Sequence, residues 1–347
     1  MREKHEEEQI DFVIPWVDGN DEKWGETKTK YADLELRTVD SSNVRYRDYG
    51  LLKYWFRGVE EFAPWVNRVF LITNGQIPTW INLDASKLIW VKHEDYIPKE
   101  YLPTFSANPI ELPLCKIAEL SEKFVYFNDD FFLLQPVSVS HFFRKGLPVM
   151  NPSSSLTIPR YGYDQFAHLM LNNVMVINSH FKAREVIGQN MRNWLSPFRV
   201  GFKSAVSNFI PFYLGYFTGF ANPHLPSPFL KSVCEEVWNQ EENNLTNTMC
   251  HRFRSNDDVT QYLFYDWHLS SKQFVPMHRK KMGKFFTLQS DMSSNNMILK
   301  AVKEQSYPVV CINDSASRLS VEEFDRLMND LKTAFESILP RKSSFEK

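Results

Sequence analysis

Apolar positions fall into two regimes along the first part of the chain. Short continuous apolar runs stop at turn residues, and between them apolar residues recur three and four apart. Ile10 to Val17 reads as a buried strand ending at Asp18-Gly19-Asn20-Asp21. Tyr46 to Phe62 sets Leu51, Leu52, Trp55, Phe56, Val59 and Phe62 at helical spacing with charges between them. Val66 to Thr73, Lys87 to Lys92 and Lys123 to Phe127 read as further strands, the first closed by Asn74-Gly75 and the last by Asn128-Asp129-Asp130. Pro109 to Ser121 reads as helical despite Pro113. Strands alternating with helices predict an α/β fold around a mixed, partly parallel sheet, with the site built by loops at the strand ends.

Beyond residue 150 the pattern is less regular. Leu169 to Asn178 contains the apolar run Val174-Met175-Val176-Ile177, which predicts a strand, while Pro228 to Gln240 and Asp257 to Leu269 predict helices. Pro308 to Ile312 reads as a late strand leading into Asn313-Asp314. Ser320 opens a last helix, with Glu322 and Glu323 in its first turn. No internal repeat or low-complexity linker breaks the chain, which predicts one compact catalytic unit with helical insertions rather than two separable domains. The stretch from Ala205 to Leu230 holds no Asp, Glu, Lys or Arg, but Pro211, Pro223, Pro226, Pro228, Asn208 and Asn222 interrupt it. Its plain reading is a buried loop and a short strand. The alternatives are a surface that touches lipid or a lipid-linked substrate, and a true span.

Composition narrows the classes. The length of 347 residues suits one large domain or two smaller ones. With 42 acidic and 40 basic side chains the net charge is −2, which argues against coating nucleic acid. Aromatics at 15% suit a large core, a sugar-stacking platform or a membrane-facing surface equally. Cys115, Cys234, Cys250 and Cys311 are scattered, without a CxxC pair, so neither a disulfide framework nor a zinc cluster is expected and a reducing compartment is the simplest home. The opening residues lack the apolar core of a signal peptide, which predicts a cytoplasmic protein.

Three acidic groups follow apolar strands: Asp18 with Asp21, Asp129 with Asp130, and Asp314. Carboxylates at strand ends can hold a hard divalent cation against a diphosphate, although turns also favour Asp for conformational reasons. Asn128-Asp129-Asp130 stands out because Phe131-Phe132-Leu133-Leu134 follows directly, a dry wall beside two charges. Arg45 and Arg47 precede Asp48. His251-Arg252-Phe253-Arg254 gathers an imidazole and two guanidiniums just before Asp257-Asp258. His224 lies in the uncharged stretch, where it reads either as a proton acceptor or as a hydrogen-bonded structural residue. His93, His141 and His168 take the structural reading. There is no GxGxxG and no P-loop, so a bound nucleotide would be held differently.

These residues resemble a known family. Ile14-Pro15-Trp16-Val17-Asp18-Gly19-Asn20-Asp21 is similar to the first conserved region of the Stealth hexose-1-phosphate transferases. Arg47-Asp48-Tyr49-Gly50-Leu51-Leu52 opens a resemblance to the second, which continues through Asn74-Gly75-Gln76, His93-Glu94-Asp95 and Ser106-Ala107-Asn108 to Asn128-Asp129-Asp130. His224-Leu225-Pro226 and His251-Arg252-Phe253-Arg254-Ser255-Asn256-Asp257-Asp258 are similar to the third, and Cys311-Ile312-Asn313-Asp314 to the fourth.

The resemblance implies a bacterial surface-polysaccharide enzyme with a GT-A-like, Rossmann-related fold. Residues 10–135 would bind the nucleotide sugar and metal, and 136–340 would supply the acceptor side and the catalytic His and Arg. It implies transfer of a hexose-1-phosphate or N-acetylhexosamine-1-phosphate from a UDP-sugar to a hydroxyl of a growing polysaccharide, releasing UMP and leaving a phosphodiester. The acceptor would be a lipid-linked oligosaccharide at the inner membrane face, with peripheral membrane contact and no nucleic-acid partner. By the same resemblance His224 is the base, or a transient phosphoryl carrier, and Arg254 grips the transferred phosphoryl group, with Arg252 a weaker candidate. Asp129 and Asp130 would hold Mg2+ or Mn2+, with Asp314 as a further ligand. Asp18, Arg47, Asp48 and His251 would bind substrate. The alternatives are a conventional glycosyltransferase releasing UDP and an idle glycan-binding protein.

Overall fold

The computed structural model describes residues 9–34, 50–158, 165–289, 291–314 and 319–347. Its central sheet contains strands β1 (Ile10–Pro15), β2 (Val69–Thr73), β3 (Leu88–Lys92), β4 (Lys123–Tyr126) and β8 (Ser227–Leu230), in the order β3-β2-β1-β4-β8. The first four pair in parallel and β8 runs antiparallel to β4. Strands covered on both faces can be apolar throughout, which is why these runs do not alternate. Asp11 is the exception, fully buried inside β1. Its carboxylate accepts from Asn67 Nδ2 (2.7 Å) and from Ser121 N (2.8 Å), and so locks the entries of β2 and β4 to β1.

Chain order reverses about β1: β2 lies on one side and β4 on the other. In an open α/β sheet this switch point leaves a crevice beyond the carboxyl ends of the two diverging strands. The chain leaves β4 through Phe127-Asn128-Asp129-Asp130 and enters β5 (Phe131–Leu133), which belongs to a second sheet. There β10 (Lys284–Leu288) and β11 (Val309–Asp314) pair in parallel, and β11 pairs antiparallel with β5. A third small sheet joins β6 (Phe143–Arg144), β7 (Leu147–Met150) and β9 (Val275–Pro276).

One hydrophobic cluster runs from Ile10 to Phe345 through all of this. The helix Leu52–Phe62 lays Trp55 and Phe56, both fully buried, against it. The helix Val321–Ile338 starts at a capping box in which Ser320 and Glu323 satisfy each other's backbone N–H, and it buries Leu327, Leu331, Ala334 and Phe335 along one stripe. Arg57 ties the two helices to the C-terminal segment, donating to both Glu346 carboxylate oxygens (2.8 and 2.9 Å) and to the Leu339 carbonyl (2.8 Å).

Five sequence expectations are corrected. The strand expected within Leu169–Asn178 is part of the helix Gln165–His180. Of its buried positions, Leu169, Met170, Asn173, Val174 and Ile177 follow helical spacing, with Ala167 and Val176 also buried, while Met175 is 69% exposed, and the β-branched run is too short to override a 16-residue segment free of Gly and Pro. The helix expected over Pro109–Ser121 is one α turn, Asn108–Glu111, followed by a 3-10 turn, Leu112–Lys116, because Pro113 offers no N–H. Pro228–Leu230 belongs to β8, so the helix there begins at Lys231, and the helix expected from Asp257 begins at Tyr262. The uncharged stretch is neither plain loop nor span: it includes the short helix Phe209–Leu214 before β8, and no described helix is long and apolar enough to cross a membrane.

Candidate active site

A cleft of about 490 Å³ opens at the switch point. Pro15, Trp16 and Val17 line it from the end of β1, Asn128, Asp129 and Asp130 from the end of β4, and Asn313 and Asp314 from the end of β11. The two sheets meet here because Asp130 ends the link between them: its carbonyl accepts from Ile312 N at 2.8 Å. His224 enters from the segment before β8, Arg254 from the loop before the helix Tyr262–Ser270, and Tyr262 from that helix's first turn.

Asp130 carries two different oxygens. Oδ2 accepts from Cys311 Sγ (3.2 Å) and Asn313 Nδ2 (3.4 Å) and lies 3.7 Å from His224 Nε2. Oδ1 is buried and has no hydrogen-bond partner among the described residues. A buried carboxylate oxygen without a donor is costly unless a cation faces it. The residues fit such an ion, since Asp129 and Asp314 line the same cleft and offer the oxygen ligands that magnesium or manganese takes. Asp130, His224 and Cys311 also converge within 4.8 Å, a set that on paper suits a softer metal. Burial, reinforced by the Asp130 charge, pushes the Cys311 thiol far up, so it stays protonated and serves as a donor that orients Asp130.

His224 is one-third exposed, with Phe131 edge-on at 5.1 Å and Phe285 at 5.6 Å between ring centroids. Its Nδ1 lies 2.8 Å from the Tyr262 hydroxyl, so the ring is fixed on one side and Nε2 faces the cleft on the other. Burial pushes the Tyr262 phenol up and keeps it neutral. Glu111, nine-tenths buried, lines the same cleft and accepts from Tyr126 Oη at 2.7 Å. Burial raises its carboxyl above the usual range, against the lowering pull of the Tyr126 hydrogen bond and the nearby Arg254 charge. His93 also lines the cleft, and burial holds its imidazole down to about 4, so it is neutral there.

Of the residues singled out in the sequence, Asp129, Asp130, His224, Arg254 and Asp314 share this cleft. Asp18 is not among the lining residues. Its Oδ1 accepts from Asn20 N (2.9 Å), and the Gln76 amide brackets its backbone, so it shapes the turn beside Val17. His251 turns away to Asp258, 2.7 Å from Nδ1, and Asp258 is fully buried and also accepts from Asn108 and Ser255 N. That knot braces the loop carrying Arg254. Arg252 sets its guanidinium over the Tyr31 ring, outside the cleft lining. Arg47 and Asp48 lie outside the described residues. Tyr262, Glu111 and Asn313 were not singled out. Glu111 had a usable signal, as a lone carboxylate in the apolar run Pro109–Cys115, whereas Tyr262 had none.

Comparison with known proteins places the chain. Residues 8–34 match the family model for Stealth protein CR1, conserved region 1, and residues 45–149 match Stealth protein CR2, conserved region 2. The receptor polysaccharide phosphotransferase WefC of Streptococcus gordonii is 39% identical over 98% of this chain and 99% of its own length. The capsular polysaccharide phosphotransferase WcwK of Streptococcus pneumoniae is 37% identical over 98% of each chain. The exopolysaccharide phosphotransferase cps2G of Lactiplantibacillus plantarum is 38% identical over 97% of this chain and 96% of its own. Among solved structures, the galactosyltransferase LgtC aligns over 92% of this chain and 95% of that one, with a TM-score of 0.35 and 10% identity.

Proposed function

The chain belongs to the Stealth family, and from that membership we propose that it moves a hexose-1-phosphate or N-acetylhexosamine-1-phosphate from a UDP-sugar to a hydroxyl of a growing surface polysaccharide. The acceptor hydroxyl oxygen attacks the sugar-bearing phosphorus, the bridging P–O bond breaks, and UMP leaves. The anomeric C–O bond is untouched, so the sugar keeps its configuration. The names of three relatives, all polysaccharide phosphotransferases, support the reaction class.

The observation that carries the proposal is the convergence of a tethered imidazole, a carboxylate with a bare buried oxygen and an arginine in one cleft at the switch point. His224 accepts the hydroxyl proton at Nε2, because Nδ1 is engaged by Tyr262. Asp130 Oδ2 lies 3.7 Å from His224 Nε2. Arg254 grips the phosphoryl oxygens, where charge accumulates in a loose transition state. Asp129, Asp130 and Asp314 would hold Mg2+ or Mn2+, which neutralises the diphosphate and the departing UMP. Residues 10–135 form the donor half, and 136–340 supply the base, the arginine and the acceptor wall, the acceptor being a lipid-linked oligosaccharide.

The test is product analysis with a panel of UDP-sugars, a lipid-linked acceptor and Mg2+, with and without EDTA. Metal-dependent UMP together with a new phosphodiester on the acceptor is the expected result. Release of UDP would make the protein an ordinary glycosyltransferase and remove this role from His224.

A further inference from the structure

From residue 186 to residue 234 the chain contains no carboxylate, yet it carries Arg192, Arg199, Lys203 and Lys231, in a protein whose net charge is −2. Much of this stretch folds into four short helices, Met191–Trp194, Pro197–Val200, Phe202–Ser207 and Phe209–Leu214. Their inner faces are well anchored. Trp194, Val200 and Ala205 are buried, and the fully buried Asn208 donates to the Pro152 and Trp194 carbonyls and accepts from Ser154 N. Arg184 donates to the Phe212 and Tyr213 carbonyls at the end of the last helix.

The outer faces are the opposite of what a water-facing helix presents. Phe198 is 98% exposed, Tyr213 80%, Phe202 74%, Tyr216 54% and Phe209 52%. These are five of the seven large aromatic side chains exposed among the described residues, gathered within residues 198–216. Single exposed apolar residues are ordinary, but exposed rings gathered on short helices that pack against one another mark an interaction surface. The charge pattern selects the partner. Aromatic rings with Arg and Lys and without Asp or Glu are the composition of helices that lie in the boundary between lipid headgroups and acyl chains. The helices are too short to go deeper.

We infer that the face built by residues 191–216 is a membrane-docking surface, which seats the protein on a bilayer bearing anionic headgroups. Phe198, Phe202 and Tyr213 enter the boundary region, while Arg192 and Lys203, both exposed, meet lipid phosphates. The same peptide leaves this face at Tyr216 and delivers His224 to the cleft, so docking and catalytic surfaces are joined by one short, pinned segment. Its Thr218 carbonyl accepts from Thr157 N, and its Gly219 carbonyl accepts from Ser155 N. The inference does not depend on which nucleotide leaves the active site.

The experiment is flotation of the purified full-length protein with vesicles of phosphatidylcholine alone or mixed equally with phosphatidylglycerol. Wild type should float with the anionic vesicles, less so at high salt. Phe198→Ser/Phe202→Ser/Tyr213→Ser should lose about tenfold or more of that affinity at an unchanged unfolding temperature. Arg192→Gln/Lys203→Gln should lose the preference for phosphatidylglycerol. Wild type that stays with neither vesicle, or a triple variant that floats as well as wild type, overturns the inference. So does sedimentation velocity showing a wild-type dimer that the triple variant converts to monomer, since a second copy would then cover the face.

Discussion

Replacing Tyr262 by Phe tests whether His224 acts as the base, because the substitution removes one hydrogen bond and almost no volume. For Nε2 to accept a proton, Nδ1 must carry the ring hydrogen and donate it to the Tyr262 oxygen, 2.8 Å away. While the imidazole is neutral that bond contributes about 0.5–1.5 kcal/mol, and once the ring is charged about 1.5–3 kcal/mol. The difference, about 1–2 kcal/mol, is felt only as the proton arrives, so kcat should fall roughly 5- to 30-fold. KM for donor and acceptor should stay within about twofold, since neither substrate loses a contact. The assay is steady-state nucleotide release at saturating donor and acceptor, with circular dichroism to confirm the fold. An unchanged kcat would show that Tyr262 does not orient the base. A loss confined to KM would make it a binding residue, and a loss beyond about a thousandfold would put the hydroxyl itself in the chemistry.

Asp130→Asn should weaken Mg2+ or Mn2+ binding by about tenfold or more in calorimetric titration without substrate, and unchanged affinity would remove Asp130 from the ion site. Arg57→Ala should cost about 3–5 kcal/mol in urea unfolding, because Glu346, whose side chain is 5% exposed, keeps its Ser343 donors but loses its cation, and the Leu339 carbonyl loses its donor; a loss under about 1 kcal/mol would mean the clamp is replaceable by water. His268 is fully buried, accepts from Leu230 N at Nε2, and is held down to about 4 by burial. Its imidazole should therefore stay neutral in NMR titration until near pH 4. Between its unfolded value near 6.5 and about 4 the unfolded chain binds the extra proton, so this residue's share of stability is complete above pH 6.5 and falls by about 1.4 kcal/mol per unit as pH drops. An imidazole that titrates near 6.5 refutes this.

The four parallel strands of the central sheet were legible as short apolar runs, which burial on both faces favours, whereas β8 reads as the start of a helix. Val174-Met175-Val176-Ile177 satisfied the same local rule and yet is helical. Its partners lie far along the chain: Asn173 Nδ2 donates to Thr260 Oγ1 and Asn172 Nδ2 to the Asn256 and Asp258 carbonyls, contacts that reward a helix and that no window of sequence contains. The site divides in the same way. Asp129, Asp130 and Asp314 were readable as carboxylates at strand ends, whereas Tyr262 meets His224 only because segments 38 positions apart converge. His251 and Asp258 are adjacent enough to pair, and the pairing diverts them from the cleft.

Asp130 gains its character from a register that sequence alone could not specify. Cys311 lies opposite Phe131 in the antiparallel pairing of β11 with β5, and Ile312 N reaches the Asp130 carbonyl. Side chains alternate along β11, so Cys311 and Asn313 both reach Asp130 Oδ2 while Val310 and Ile312 fill the core. A slip of one residue would put Val310 or Ile312 against the carboxylate and take both donors away from Oδ2. The apolar positions of β11 therefore hold the donors on one oxygen of Asp130, and the other has no donor among the described residues. In this chain the packing of the second sheet and the chemistry of the cleft are set by the same pairing, which is why the carboxylate sits at the end of a strand link rather than on a free loop.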